Sequence, residues 1–105
     1  MPPQLLIRFH GTYRYESHQA LQRAICSAHA LLDDEDVGEV ELASLRSFMT
    51  SGATLRVDIQ LPAIAQVRFA AASVFQSLAL DAVEGAVEAS HGAHHVDFYP
   101  CGGDD

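Results

Sequence analysis

The chain has 105 residues and a formal net charge of −8, because 14 carboxylates outnumber six basic residues, all of them arginine. This length predicts a single domain, and 49% hydrophobic residues are enough for a core without cross-links. So acidic a chain repels phosphate backbones and anionic lipids, and no apolar run is long enough to span a bilayer. We therefore expect neither nucleic-acid nor membrane binding, and the absence of lysine excludes P-loop and Schiff-base chemistry.

The N-terminal residues and the cysteines bear on the cellular location of the protein. The segment MPPQLLIRFHG has no charged region ahead of its short apolar run and no small-residue cleavage site, so we expect a cytoplasmic protein. Cys26 and Cys101 are far apart in the sequence and are expected to be reduced. Abundant alanine, with arginine as the only strong base, suggests a GC-rich bacterial genome.

The first half of the chain predicts a strand, a helix and a hairpin. Apolar and polar residues alternate over Gln4–Gly11, which predicts a strand that ends at the glycine. Ser17 is a suitable helix N-cap, and the helix should end near Leu32, where an acidic run begins and opposes the helix dipole. Residues Gly38–Pro62 predict a hairpin whose first arm needs a β-bulge near Ala43–Ser44.

The second half predicts a further helix and then a second hairpin. Pro62 suits the first turn of a helix, and an apolar stripe follows it. Periodicity alone would continue this helix to Ser90, over about 40 Å, which is long for a domain whose radius of gyration should be about 13 Å. A Gly-x-Val-Glu motif from the first hairpin also recurs here. We therefore predict strands at Ala86–Ser90 and His94–Tyr99.

The resulting order, β-α-β-β-α-β-β, predicts a ferredoxin-like α+β sandwich. In that two-layer architecture, two helices cover one face of a mostly antiparallel sheet. The domain would span residues 1–100, and residues 101–105 would form a short Gly/Asp tail. Because such folds carry many unrelated functions, the function has to be inferred from particular residues.

The uncovered face of the sheet is the main candidate for a functional surface. Strand alternation places a mixture of charged and aromatic side chains on it. Such a mixture is typical either of a solvated face with cross-strand ion pairs or of a protein interface. The residues predicted to bind a partner there are Arg8, His10, Arg56, Asp58, His95, Asp97 and Tyr99.

The sequence pattern suggests two further sites. The loop after the first strand carries Tyr13, Arg14 and Tyr15, which would suit a planar or anionic ligand near a helix N-terminus. The alternative is an ordinary polar loop. His94 and His95, in the histidine-rich segment near the C-terminus, would point to opposite sides of a strand and could not ligate one ion. We therefore predict no metal site and no cofactor.

Three functions are consistent with this pattern. The first is a non-enzymatic binding or adaptor module that forms homodimers, or engages a protein partner, through the open face of its sheet. The second is a small-molecule sensor of ferredoxin-like type, with its ligand in the first loop or at a dimer seam. The third is a small enzyme that transfers protons through His10, His95 and Tyr99. We favour the first, because no nucleophile elbow or acid–base pair is recognisable.

Overall fold

The computed structural model describes residues 6–33 and 38–102. Within these residues, three helices and a five-stranded antiparallel sheet form a compact α+β structure, which confirms the predicted class. In chain order, the elements are β1 (Leu6–Arg14), α1 (His18–Leu32), α2 (Glu39–Arg46), β2 (Met49–Ser51), β3 (Thr54–Pro62), α3 (Ala65–Asp81), β4 (Glu84–His91) and β5 (His94–Pro100).

The strands lie in the order β2-β3-β1-β4-β5, and every neighbouring pair is antiparallel. The ferredoxin-like arrangement is not confirmed, because it does not have the strand order β2-β3-β1-β4-β5, and the described chain contains a third helix, α2, that was not predicted. The second hairpin is confirmed: α3 ends at Asp81, and β4 and β5 follow it. None of the helices in the described ranges is both long and apolar enough to cross a membrane.

The core lies between the sheet and the helices α1 and α3. Four residues at helical spacing bury the inner stripe of α1, and this helix ends at Leu32 as predicted. Ser17 is its N-cap, and the hydroxyl of Ser17 accepts a hydrogen bond of 3.1 Å from the amide of Ala20. On the sheet, buried residues alternate with exposed ones along β1 and β3, so a single face of the sheet meets the helices.

The predicted first arm of the central hairpin is largely helical. The segment Glu39–Arg46 forms α2, and β2 is reduced to Met49–Ser51. Leu45 is completely buried in the common core, so a short helix buries this side chain without the β-bulge that a strand would have required. The prediction of a strand was wrong here because tertiary packing decides the conformation of such a short segment.

Two predicted boundaries also differ from the structure. Strand β1 continues through Gly11 to Arg14, because the chain pairs with β3 and β4 on both sides over this stretch. Pro62 does not open a helix. It is the last residue of β3, opposite Leu6, and α3 begins at Ala65 with Ile64 as its N-cap. Cross-strand pairing therefore extends both strands beyond the ends that Gly11 and Pro62 indicated in the sequence.

Candidate functional site

The face of the sheet opposite the helices, called the open face below, is not covered by any of the residues that the structure describes. Along β1, Ile7, Phe9 and Tyr13 are buried, so the residues between them point away from the core. The main side chains of the open face, read from the strand registers, are Arg8, His10, Thr12, Arg14, Met49, Arg56, Asp58, Gln60, Glu84, Ala86, Glu88, His95 and Phe98.

Two ion pairs cross between strands on the open face. Arg8 donates two hydrogen bonds to the Asp58 carboxylate, of 3.1 Å to Oδ1 and 3.3 Å to Oδ2. The Arg14 guanidinium lies 2.9 Å from Glu84. The hydrogen bond from Arg8, aided by the nearby charge of Arg56, holds the pKa of Asp58 below its ordinary value. Since these side chains are exposed to solvent, the pairs position charges more than they stabilise the fold.

A third polar cluster lies beside these pairs and joins three strands. Glu88, on β4, is flanked by His10 on β1 and His95 on β5. The Nε2 atom of His10 is 3.6 Å from Glu88 Oε1, and the Nδ1 atom of His95 is 3.3 Å from Glu88 Oε2. One carboxylate therefore lies between two imidazoles. The sequence predicted that both histidines lie on the same surface, but it did not identify the acidic residue between them.

The charges of the open face balance, although those of the chain do not. Among the described residues, this face carries the arginines Arg8, Arg14 and Arg56. It also carries three carboxylates, which belong to Asp58, Glu84 and Glu88. With neutral imidazoles the face has no net charge, whereas the whole chain has a net charge of −8. The excess negative charge therefore lies elsewhere on the molecule.

Exposed apolar side chains occupy the two outer strands of the same face. Phe98, on β5, is 61% exposed, and Met49, on β2, is 55% exposed. Large apolar side chains that are exposed to water at the edges of a charge-balanced sheet are typical of a surface that contacts another protein.

Comparison with known proteins does not indicate a function for this surface. No protein-family model, curated protein or solved structure matches this chain.

Two predicted members of the open face lie on its other side. Tyr99 is 6% exposed and packs against Phe75 in the core, and burial raises its pKa to about 12. Asp97 lies toward α3, where its carboxylate is 3.4 Å from the Arg68 guanidinium. Placing these two residues on the open face was wrong. The other five predicted residues, Arg8, His10, Arg56, Asp58 and His95, lie on the open face, and their binding role stays a prediction.

The cause of this reversal is an irregularity in the pairing of β4 with β5. Ala89 pairs with Asp97, but the next residue, Ser90, pairs with His95, so Val96 is an extra residue on β5. A bulge of this kind changes which side the following side chains face. Phe98 therefore points outward, where a regular strand would have placed it in the core.

Tyr13 and Arg14 of the predicted ligand loop belong to β1, and Tyr15 lies in the short connection between β1 and α1. Tyr13 and Tyr15 are buried. The Tyr13 hydroxyl donates a 2.7 Å hydrogen bond to the carbonyl of Tyr99, and the Tyr15 hydroxyl donates one of 2.6 Å to the carbonyl of Leu78. Burial raises the pKa of both phenols. The prediction that Tyr13 and Tyr15 stack on a ligand was therefore wrong. Arg14 pairs with Glu84, and its role in binding an anion stays a prediction.

The groups suggested for proton transfer do not meet. His10 and His95 flank Glu88 on the open face, while Tyr99 is buried on the other side of the sheet. In the part of the chain that the structure describes, no three histidine, cysteine or acidic side chains converge as ligands for a metal ion.

The outer side of α3 is a second exposed apolar surface, and sequence reasoning missed it. Phe69 is 74% exposed, the largest value among the exposed large apolar residues. It borders a concavity of about 480 Å³ between α3 and β5, with Ala65, Ala72 and Gln76 among the lining residues. The signal in the sequence is that Phe69 lies outside the apolar stripe that α3 buries.

The pairing of Arg8 with Asp58 makes a testable prediction about acid titration. Because the pKa of Asp58 is lowered in the folded state, the stabilisation from this pair is present above the ordinary aspartate pKa of about 4. It is lost as the pH falls through the lowered value. We expect Arg8→Gln to return the pKa of Asp58 toward its ordinary value, as measured by NMR titration of the carboxyl carbon. Arg14→Gln, on the same strand, should leave this pKa unchanged.

Proposed function

We propose that this protein is a non-enzymatic homodimeric binding module in which the open faces of two copies pack against each other. The observation that carries the proposal is the charge balance of the open face in a strongly acidic chain. Two chains of net charge −8 repel each other over most of their surfaces. They would meet with least repulsion through the face on which arginines and carboxylates are equal in number.

The distribution of charge also suits contact between identical surfaces. In a two-fold dimer, each residue of the interface faces a residue of the same patch on the partner. Of the arginines and carboxylates on this face, β1 carries only arginines, β4 carries only carboxylates and β3 carries one of each, so a two-fold arrangement can place unlike charges opposite each other. Phe98 and Met49, on the outer strands, would supply apolar contacts on either side of the ion pairs.

The size of the open face is close to what a stable dimer needs. The five strands together contain 36 residues, which at about 3.4 Å per residue and about 4.8 Å between strands present roughly 600 Å². Stable interfaces bury about 800 Å² on each partner. The sheet face is therefore large enough to form most of such an interface without a contribution from the helices.

For the fold, we propose a ferredoxin-like core enlarged by α2 and β5. Strand β3 lies between β1 and β2 and is antiparallel to both, which makes β1 and β2 parallel strands separated by a third. This is the split β-α-β arrangement. The proposal supports a dimer in which the helices lie outside and the two sheets meet, because the described helices cover the opposite face.

Sedimentation equilibrium tests the dimer. We expect the wild-type chain, with a monomer mass of 11.4 kDa, to behave as a dimer at micromolar concentrations. Phe98→Asp would place an unpaired carboxylate in the interface, which costs about 2–3 kcal/mol and raises the dissociation constant about 100-fold. Phe69→Asp is the matched control, because it changes an exposed phenylalanine on α3, outside the open face, and should leave the dimer intact.

Either of two results would contradict this proposal. A wild-type protein that stays at the monomer mass at high micromolar concentration does not self-associate through any face. Dissociation by Phe69→Asp, with no effect of Phe98→Asp, would assign the dimer to the outer side of α3. Circular dichroism of each variant establishes that it is folded, and both substitutions are at exposed positions.

A further inference from the structure

We propose that the imidazoles of His10 and His95, on either side of Glu88, make the open-face dimer sensitive to acid, so that mild acidification separates the two copies. This inference rests on the proposed function, since it concerns the same surface. It follows from the position of the cluster on β1, β4 and β5 of that face, with each imidazole within 3.6 Å of the Glu88 carboxylate.

The charged groups around the cluster come from four strands. His10, on β1, lies opposite Glu88 on β4 and opposite Asp58 on β3. Arg8 lies two residues before His10 on β1. His95 faces Glu88, while Asp97 is turned to the other side of the sheet toward Arg68. The described helices cover the opposite face, so their charged groups do not approach the cluster.

Protonation would change the charge of the open face rather than its shape. Histidine is the side chain that gains a charge between about pH 7.5 and about pH 5.5, whereas carboxylates keep theirs in this range. Protonation of His10 and His95 would add two positive charges to the balanced face. Glu88 keeps both imidazolium groups in place on each copy, so two faces of like charge would be held against each other, and the dimer would dissociate.

The direction of the effect separates this local mechanism from a general one. The sequence has a pI of about 5.0, so acidification toward pH 5.5 lowers the net charge of the whole chain. A protein that approaches its pI associates more readily. Dissociation over the same interval is therefore opposite to the effect of net charge and points to charges within the interface.

The experiment measures the dimer dissociation constant by sedimentation equilibrium at about pH 7.5 and about pH 5.5. For the wild type we expect an increase of at least about tenfold on acidification, the change that corresponds to 1.4 kcal/mol. The double variant His10→Gln and His95→Gln should dimerise equally well at both pH values. His94→Gln, an exposed neighbour that makes no ion pair with the described residues, is the matched control and should respond like the wild type.

Failure of the dimer and failure of its acid response can be told apart. A wild type that is monomeric at pH 7.5 contradicts the proposed function itself. A wild-type dimer whose dissociation constant does not rise on acidification overturns only the present inference. So does a double variant that still dissociates at the lower pH, or a His94→Gln variant that no longer does. Circular dichroism at both pH values shows that dissociation is not unfolding, and the single variant His95→Gln, which should lose part of the response, serves if the double variant folds poorly.

Discussion

Replacing Gly85 with alanine is expected to destabilise the fold by about 4 kcal/mol. The residue lies in β4 with a φ of +107°, a conformation that side-chain-bearing residues rarely adopt. A Cβ atom there would lie 2.0 Å from the carbonyl oxygen of Thr12 on the neighbouring strand. Backbone strain and overpacking each cost about 1–3 kcal/mol, and the strand cannot move without breaking its ladder. This loss is a large part of the 5–15 kcal/mol that stabilises a typical domain.

Gly11 should behave in the same way from the opposite strand. A Cβ atom on Gly11 would lie 2.0 Å from the carbonyl oxygen of Ala86 and 2.7 Å from the Cα atom of Val87. The two glycines thus allow β1 and β4 to approach closely at two positions of one ladder that are separated by a single residue pair. Because β1 is the central strand, separating this pair would disturb the sheet on both sides.

Gly92→Ala is the matched control for both substitutions. Gly92, in the β4–β5 turn, also has a positive φ, of +62°, but a Cβ atom added to it would meet nothing within 4 Å. Only the backbone conformation is penalised there, at about 1 kcal/mol. Urea unfolding followed by far-UV circular dichroism measures all three variants. Equal losses in Gly92→Ala and Gly85→Ala would show that the close approach of the strands contributes nothing.

A helix or strand was predictable from the sequence where its own residues show a complete helical stripe or a complete alternation of apolar and polar side chains. In β3, Leu55, Val57 and Leu61 are buried and alternate with exposed positions, as their spacing predicts. The end of α1 follows from its apolar stripe and the acidic residues after it. The second hairpin required a different argument, because Ala86 and Ala89 also fit a helical stripe. Its prediction depended on the size of the domain and on the repeated Gly-x-Val-Glu motif rather than on periodicity.

The failures arose where a distant contact decides the local structure. Leu42, Leu45 and Met49 have helical spacing, but over so few residues the alternation of Val40 and Leu42 favours a strand equally well. The burial of Leu45 in the core decides between them. Similarly, nothing local in β5 reveals that Val96 is an extra residue, because the bulge depends on the register with β4.

The composition of the candidate site was predictable only in part. Alternation along β1 and β3 correctly placed Arg8, His10, Arg56 and Asp58 on the open face. The role of Glu88 as the acid between two imidazoles was not predictable, since it requires β1 and β5 to flank β4. A surface made of side chains from five strands depends on strand order, and strand order depends on the whole chain.

Alkaline pH is expected to unfold this protein, and tyrosine ionisation should appear only as it unfolds. The sequence has three tyrosines, Tyr13, Tyr15 and Tyr99, and all of them are buried. Burial raises the pKa of all three in the folded state, that of Tyr99 to about 12. In the unfolded chain, phenols titrate near pH 10. The native state thus holds protons that the unfolded state releases.

The sign of the pH dependence follows from this difference. Stability is fully present below about pH 10 and falls as the pH rises from there through the raised folded values, because the unfolded chain then binds fewer protons. Each unit of difference corresponds to about 1.4 kcal/mol, so Tyr99 alone accounts for a loss of about 3 kcal/mol. With Tyr13 and Tyr15 added, the loss approaches the entire stability of a small domain. The chain has no lysine, and arginines keep their charge here, so the phenols dominate this range.

Phenolate absorbance near 295 nm, recorded together with far-UV circular dichroism between about pH 8 and about pH 13, measures this directly. We expect the two signals to change in one cooperative transition, above the pH at which free tyrosine titrates. Tyr99→Phe should move the transition to higher pH, because it removes one ionising group and keeps the Tyr99 carbonyl that accepts the Tyr13 hydrogen bond. Phenolate absorbance that rises near pH 10 while the circular dichroism is unchanged would mean that the tyrosines are accessible to solvent in the folded protein.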